Sequence, residues 1–178
     1  MPQRIALLSE APVVEYLDGE RRRKVSPRSK HARVQWLVGM LLERCGGDIG
    51  MTGTEWDFRI GLVDDSDSVL VPDIAFITYA RLAAIEKKER DQPPVAPDIA
   101  VEVWSPTNDR PFLNRKIAKY LANGSWLVLD VDPRSRTIVA HAVDGVRTFG
   151  ESDRFVHPAV PWLEFDVAEA FKGLEFFD

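Results

Sequence analysis

The chain has 178 residues, 45% of them hydrophobic and 29% charged, which suits one soluble globular domain with a real core and excludes disorder along its whole length. Lys plus Arg number 23 against 28 Asp plus Glu, a net charge of −5, which counts against broad electrostatic capture of nucleic acid and leaves room for local basic patches. The single cysteine, Cys45, excludes an intrachain disulfide framework and a cysteine-rich zinc site, and fits a reducing cytoplasm. The apolar stretch Ile5 to Leu8 is too short for a signal peptide, and Trp36 to Leu42 falls far below the roughly 18 residues of a membrane span. A cytoplasmic protein with no membrane partner is expected.

Val13 to Leu17 and Arg21 to Val25 flank Asp18-Gly19, a dipeptide suited to a tight hairpin turn. The basic run Arg21-Arg22-Arg23-Lys24, followed by Arg28 and Lys30, reads either as the solvated side of this hairpin or as a phosphate-binding patch. Ser26-Pro27 breaks the strand. From Arg28 onward His31, Val34, Val38, Leu41 and Cys45 recur at helical steps, up to Gly46-Gly47. Thr52, Thr54, Trp56, Phe58 and Ile60 alternate with smaller and polar residues as a half-buried strand does. The acidic run Asp64 to Ser68 reads as a solvated turn into a strand over Val69–Thr78, since it lacks the Gly and distant Glu of a calcium loop. A short polar helix is expected over Arg81 to Lys88 and a loop at Gln92-Pro93-Pro94. A strand then follows over Ile99 to Trp104, a helix over Arg110 to Leu121, and two strands over Trp126 to Val131 and Thr137 to Ala142. No internal repeat or linker interrupts the chain, so residues 1–178 read as one α/β or α+β domain with a mixed sheet.

Two carboxylates stand out because they lie on apolar strand faces. Period-two counting puts Asp73 with Val71, Ala75 and Ile77, and Glu102 with Ala100 and Trp104. An unpartnered buried charge costs several kcal/mol, roughly, so each should find a cation, a donor or water. On the helix after Glu102, Leu113, Ile117, Tyr120 and Leu121 form the apolar face with Lys116 on its flank, while Arg115 and Lys119 point away. Lys116 can lean back over the sheet. Two carboxylates and a lysine so placed can hold a divalent metal, activate water and stabilise a pentavalent phosphate; the same residues also make a purely structural ion-pair cluster. His31, on the apolar line of its helix, reads as a ligand, a base or a satisfied core histidine.

The sequence carries Leu17-Asp18-Gly19-Glu20, Ser26-Pro27 with His31, Val71-Pro72-Asp73-Ile74-Ala75-Phe76, Ala96-Pro97-Asp98-Ile99-Ala100-Val101-Glu102-Val103-Trp104-Ser105-Pro106, Lys116 with Tyr120, and Leu127 to Pro133. In this order the blocks resemble the Uma-two family of bacterial proteins classed with restriction endonucleases, and through it the PD-(D/E)XK nuclease superfamily. The resemblance covers about residues 12 to 142, leaving 143–178 as C-terminal strands and tail. It implies a restriction-endonuclease-like α/β core, a mixed sheet flanked by helices, with an N-terminal β-hairpin. It further implies that Asp73 and Glu102 are the two metal-binding acids, with the Val103 carbonyl as a further ligand. The superfamily lysine belongs two residues after Glu102, where this chain has Trp104; Lys116 is the matching replacement from the helix. Glu20 and His31 match further motif positions in supporting roles. Pro97-Asp98 repeats the acid signature only four residues before Glu102, and Asp73 is preferred because a separate strand lets the two carboxylates converge.

The expectation is therefore an Mg²⁺- or Mn²⁺-dependent endonuclease that hydrolyses DNA and leaves a free 3′ hydroxyl, the hard ions suiting oxygen ligands. The alternative is a catalytically silent interaction module on the same fold. A homodimer is expected because cutting both strands is simplest with two-fold-related sites, and because the tail Phe171 to Phe177 exposes apolar surface unless it packs.

Overall fold

The computed structural model describes residues 13–24, 28–61, 68–106 and 109–177. The expected break at Ser26-Pro27, most of the acidic turn before Ser68, and the N-terminal stretch Ile5 to Leu8 lie outside them. The opening hairpin is β1 (Val14–Leu17) against β2 (Glu20–Arg23). Its turn residues Asp18 and Gly19 have φ of 50° and 79°, the two positive values that a two-residue turn matching the strand twist requires. Helix α1 (Ser29–Gly46) buries Val34, Val38, Leu41 and Leu42, as its periodicity predicts.

The next two expected strands each divide. Residues 50–60 form β3 (Gly50–Thr54) and β4 (Phe58–Ile60), which join different sheets. Glu55, at φ 51°, turns the chain between them, a conformation that no strand residue adopts. The expected strand Val69–Thr78 is β5 (Ser68–Leu70) and β6 (Ile74–Thr78), again in different sheets. Pro72 lies at this junction and has no N–H to give a ladder. The apolar run is continuous because both sheets bury it. In place of one helix over Arg81 to Lys88 there is α2 (Tyr79–Ala83), capped by the Thr78 side chain, and then a 3₁₀ turn over Lys87–Glu89. Strand β7 (Ile99–Val103), helix α3 (Arg110–Ala122), and strands β8 (Leu127–Asp132) and β9 (Thr137–Ala142) follow as expected. Beyond them lie β10 (Gly145–Gly150), β11 (Arg154–Phe155), β12 (Phe165–Asp166) and two closing 3₁₀ turns.

The main sheet has the order β10-β9-β8-β7-β6-β3, and only β7 and β8 are parallel. A parallel pair needs a long crossover, which α3 supplies. The second sheet, β2-β1-β5-β4, packs with α3 on one face of the main sheet: Leu17, Phe58, Ile60 and Leu70 share a core with Ala75, Ala100, Leu113, Ile117 and Val128. On the other face α1 and the C-terminal turns cover Phe76, Val101, Leu129 and Ile138. The fold is thus mixed α/β, a mixed sheet flanked by helices with an N-terminal hairpin. Phe171 and Leu174 of the tail are buried in the core with α1, whereas Phe176 stays 85% exposed. Among the described residues no helix is long and apolar enough to cross a membrane.

Candidate active site

The chain steps from the small sheet to the main one through residues 71–73, and Asp73 ends that step immediately before β6. Ile74 pairs with Val101, so Asp73 falls beside Glu102 at the end of β7 and on its face of the sheet. The Val103 N–H donates to Asp73 Oδ2 at 2.7 Å, which locks the two acids in register. Both are buried, each with 4% exposure.

Every element around this junction contributes a polar group. Lys116, on α3, places its Nζ 2.6 Å from Glu102 Oε1 and 2.6 Å from Glu15 Oε1 of β1. The Tyr120 hydroxyl, one turn further along α3, donates to Glu102 Oε1 at 3.2 Å. Glu15 also accepts the Val71 N–H. Lys24, just past β2, bonds Asp73 Oδ1 at 2.8 Å, Glu55 Oε2 at 2.9 Å and the Val71 carbonyl at 2.8 Å. His31 Nε2 lies 3.1 Å from Asp73 Oδ2, and the Gln35 amide donates to the Asp73 carbonyl and to Glu55. The other ring nitrogen of His31 is buried with no partner among the described residues.

Four carboxylates, Glu15, Glu55, Asp73 and Glu102, therefore surround two ammonium groups, Lys24 and Lys116. The carboxylates of the cluster outnumber its lysines. The two acids respond differently. Burial opposes ionisation of Asp73, but Lys24 and His31 outweigh it and hold its carboxyl well below the usual range. Burial pushes Glu102 up to about 7, Lys116 opposing and Asp73 and Glu15 reinforcing the rise. Lys116 stays charged because Glu102 and Glu15 overcome its burial, and burial with these carboxylates pushes the Tyr120 phenol well above its ordinary value.

Of the residues singled out in the sequence, Asp73, Glu102, Lys116 and His31 are brought together. The Val103 N–H, on Asp73, is the group that joins it to them. Glu20 is not among them: it is half-exposed and pairs with Arg22 and Arg115. Asp98 lies at the opposite end of β7, paired with Arg81. Glu15, Glu55 and Gln35 escaped sequence reasoning, and Lys24, read only as a member of the basic run, turns inward to Asp73. Glu15 carried a usable signal, because period-two counting sets it on the face of Leu17.

The donor set fits a hard divalent cation. Its carboxylate and carbonyl oxygens are the ligands such an ion prefers, and the surplus of carboxylates over lysines favours a cation. Among the described residues no three His, Cys, Asp or Glu side chains gather closely enough to cage an ion by themselves. Two carboxylates with the balance made up by water is the pattern usual for Mg²⁺.

A solved structure described as a putative nuclease belonging to DUF820, from Anabaena variabilis ATCC 29413, superposes with a TM-score of 0.78 at 21% identity, over 90% of each chain. Among curated proteins none matches the chain. The family model Uma2, described as "Putative restriction endonuclease", matches residues 3–168. Matched over nearly its whole length, the chain belongs to the Uma2 family.

Proposed function

We propose that the chain is a metal-dependent DNA endonuclease whose active site is the Asp73–Glu102 cluster. The observation that carries this reading is two buried acids on neighbouring strands in a cluster whose carboxylates outnumber its lysines. Its family, described as "Putative restriction endonuclease", and the structural neighbour described as a "putative nuclease" support it. Asp73 and Glu102, with the Val103 carbonyl, would hold Mg²⁺ or Mn²⁺. When bound, such an ion lowers the pKa of water and offsets charge on the phosphate. Hydrolysis adds a water oxygen to phosphorus and breaks the P–O3′ bond, and the departing 3′ oxygen takes up a proton. Lys116 keeps Glu102 and Glu15 in place and sets the charge at the acid that faces the reacting water. Lys24 and His31 keep Asp73 ionised and fixed.

Two-fold-related copies would serve to cut both strands, so we place the active enzyme as a homodimer. Exposed Trp36 and Met40 on α1, with Phe176 of the tail, are candidates for apolar contact. Light scattering should give twice the chain mass, and a monomer at high concentration contradicts it.

The interaction-module reading is favoured by one observation: each acid already has an ammonium group on it, Lys24 on Asp73 and Lys116 on Glu102. Plasmid cleavage assayed with Mg²⁺ or Mn²⁺, alongside calorimetry for the ion, separates the two. Divalent binding that Glu102→Gln removes, together with cleavage, supports the nuclease; no binding at millimolar ion supports the module.

A further inference from the structure

The row of acids across the sheet does not stop at Glu102. Glu102 pairs with Asp130 on the parallel strand β8, so Asp73, Glu102 and Asp130 stand side by side on one face. Asp130 is buried, and its Oδ1 has no partner among the described residues. Its other oxygen pairs with the guanidinium of Arg110, the first residue of α3. That guanidinium lies 4.0 Å over the ring of Trp104, two residues after Glu102 and therefore on the same face. The position from which a strand lysine would project thus holds an indole platform, and an arginine carried in from the helix lies on it.

We propose that Arg110 is the residue that grips the phosphodiester beside the Asp73–Glu102 site. The proposal rests on the nuclease reading. The contrast with Lys116 carries it. Lys116 is 3% exposed and committed to two carboxylates, so its ammonium has little room to meet a phosphate. The Arg110 side chain is 44% exposed. Asp130 engages it through Nη1 alone among the described residues, and a guanidinium has five N–H donors. Its planar fork matches two phosphate oxygens. Trp104 beneath it and Asp130 beside it fix its plane before any ligand arrives, so little side-chain freedom is lost on binding. A guanidinium is always protonated and cannot act as a base, so Arg110 binds and orients the phosphate and moves no proton.

The test is binding of a short DNA duplex, followed by fluorescence anisotropy in Ca²⁺ across a series of salt concentrations. Arg110→Ala should weaken binding about tenfold, as loss of a hydrogen bond to a charged group does. It should also make the salt dependence shallower by about one counterion. Arg110→Lys keeps a charge and a partner for Asp130 but loses the fork and most of the stacking, and should fall between. If Arg110→Ala fails to fold because Asp130 is left alone, the pair Arg110→Met with Asp130→Asn keeps the spot neutral and should show the same loss. Arg154→Ala, among the residues on the α1 side of the sheet, should bind as the unaltered protein does. Unaltered affinity and salt slope in the Arg110 variants, in a protein that binds and cuts DNA, overturn the role of Arg110 and leave the nuclease standing. No binding and no cleavage by the unaltered protein, on duplex or single strand, bring down the nuclease reading and this proposal with it.

Discussion

Strand β7 carries a buried acid at each end, and the two ends are built differently. At its start Asp98, with no exposure, accepts the Thr78 N–H at 2.7 Å and pairs with Arg81 at 2.6 Å. One acid meets one cation and one backbone donor, and the charge closes. At the other end Glu102 belongs to a group of four carboxylates with two lysines between them. A buried charge that is matched needs no further partner, whereas one left in excess is neutralised by taking up a proton or by binding a cation. Two buried carboxylates at the two ends of one strand thus differ in how far their neighbours match their charge, and on our reading that difference separates a structural acid from a functional one.

The sharpest break between the two ends should appear in activity. Asp73→Asn and Glu102→Gln should each lower plasmid cleavage by about a thousandfold, the scale on which a preorganised electrostatic group acts, while thermal unfolding shows a folded protein. Asp98→Asn should spare specific activity in whatever fraction folds. Stability should reverse the ranking. Arg81→Met leaves the buried Asp98 without its cation and should cost about 3 kcal/mol, as breaking a buried pair does, read from urea unfolding. Glu102→Gln removes a charge from a cluster that has too many and should be neutral or stabilising by the same measurement.

The pH dependence sharpens the contrast further. Glu102 is pushed up to about 7, so between the ordinary carboxylate range and about pH 7 the folded protein keeps a proton that the unfolded chain has released. Its contribution to stability therefore falls as pH rises through that window. Asp73, held low, works in the opposite sense: its contribution is present above the ordinary range and is lost as the pH drops below it. Melting temperature against pH should decline from about pH 5 to 7 in the unaltered protein and be flatter in Glu102→Gln. A decline of equal slope in both contradicts the assignment. The smallest effect is expected from Lys119→Met on α3, whose partner Asp18 is surface-exposed. Stability should change by less than about 1 kcal/mol and cleavage hardly at all, whereas Lys116→Met should abolish cleavage.

How much of this was legible in the sequence follows the same physics. Asp73 and Glu102 could be read because a carboxylate interrupts an apolar strand face, and Lys116 because a helical wheel set it on the flank of an apolar stripe. Lys24 could not, because it ends a run of four basic residues that alternation cannot divide into inner and outer members; only the partner sheet shows that it turns inward to Asp73. Glu55 was hidden because it sits at a turn with positive φ, where strand periodicity fails. The division of Val69–Thr78 between two sheets was hidden because both bury their residues, so no polar position marked the step except Pro72 and Asp73. Asp130 was hidden for a similar reason, since its importance arises from parallel pairing with Glu102, a long-range register that no local pattern encodes.

The central claim, that the Glu102 end of β7 is a divalent cation site and the Asp98 end is not, is tested most directly by calorimetric titration of the protein with Mn²⁺. The unaltered protein and Asp98→Asn should bind the ion, and Asp73→Asn and Glu102→Gln should lose it, because a neutral amide removes charge from a hard-cation site. Absence of binding by the unaltered protein at millimolar Mn²⁺, or binding that survives both Asp73→Asn and Glu102→Gln, would contradict it.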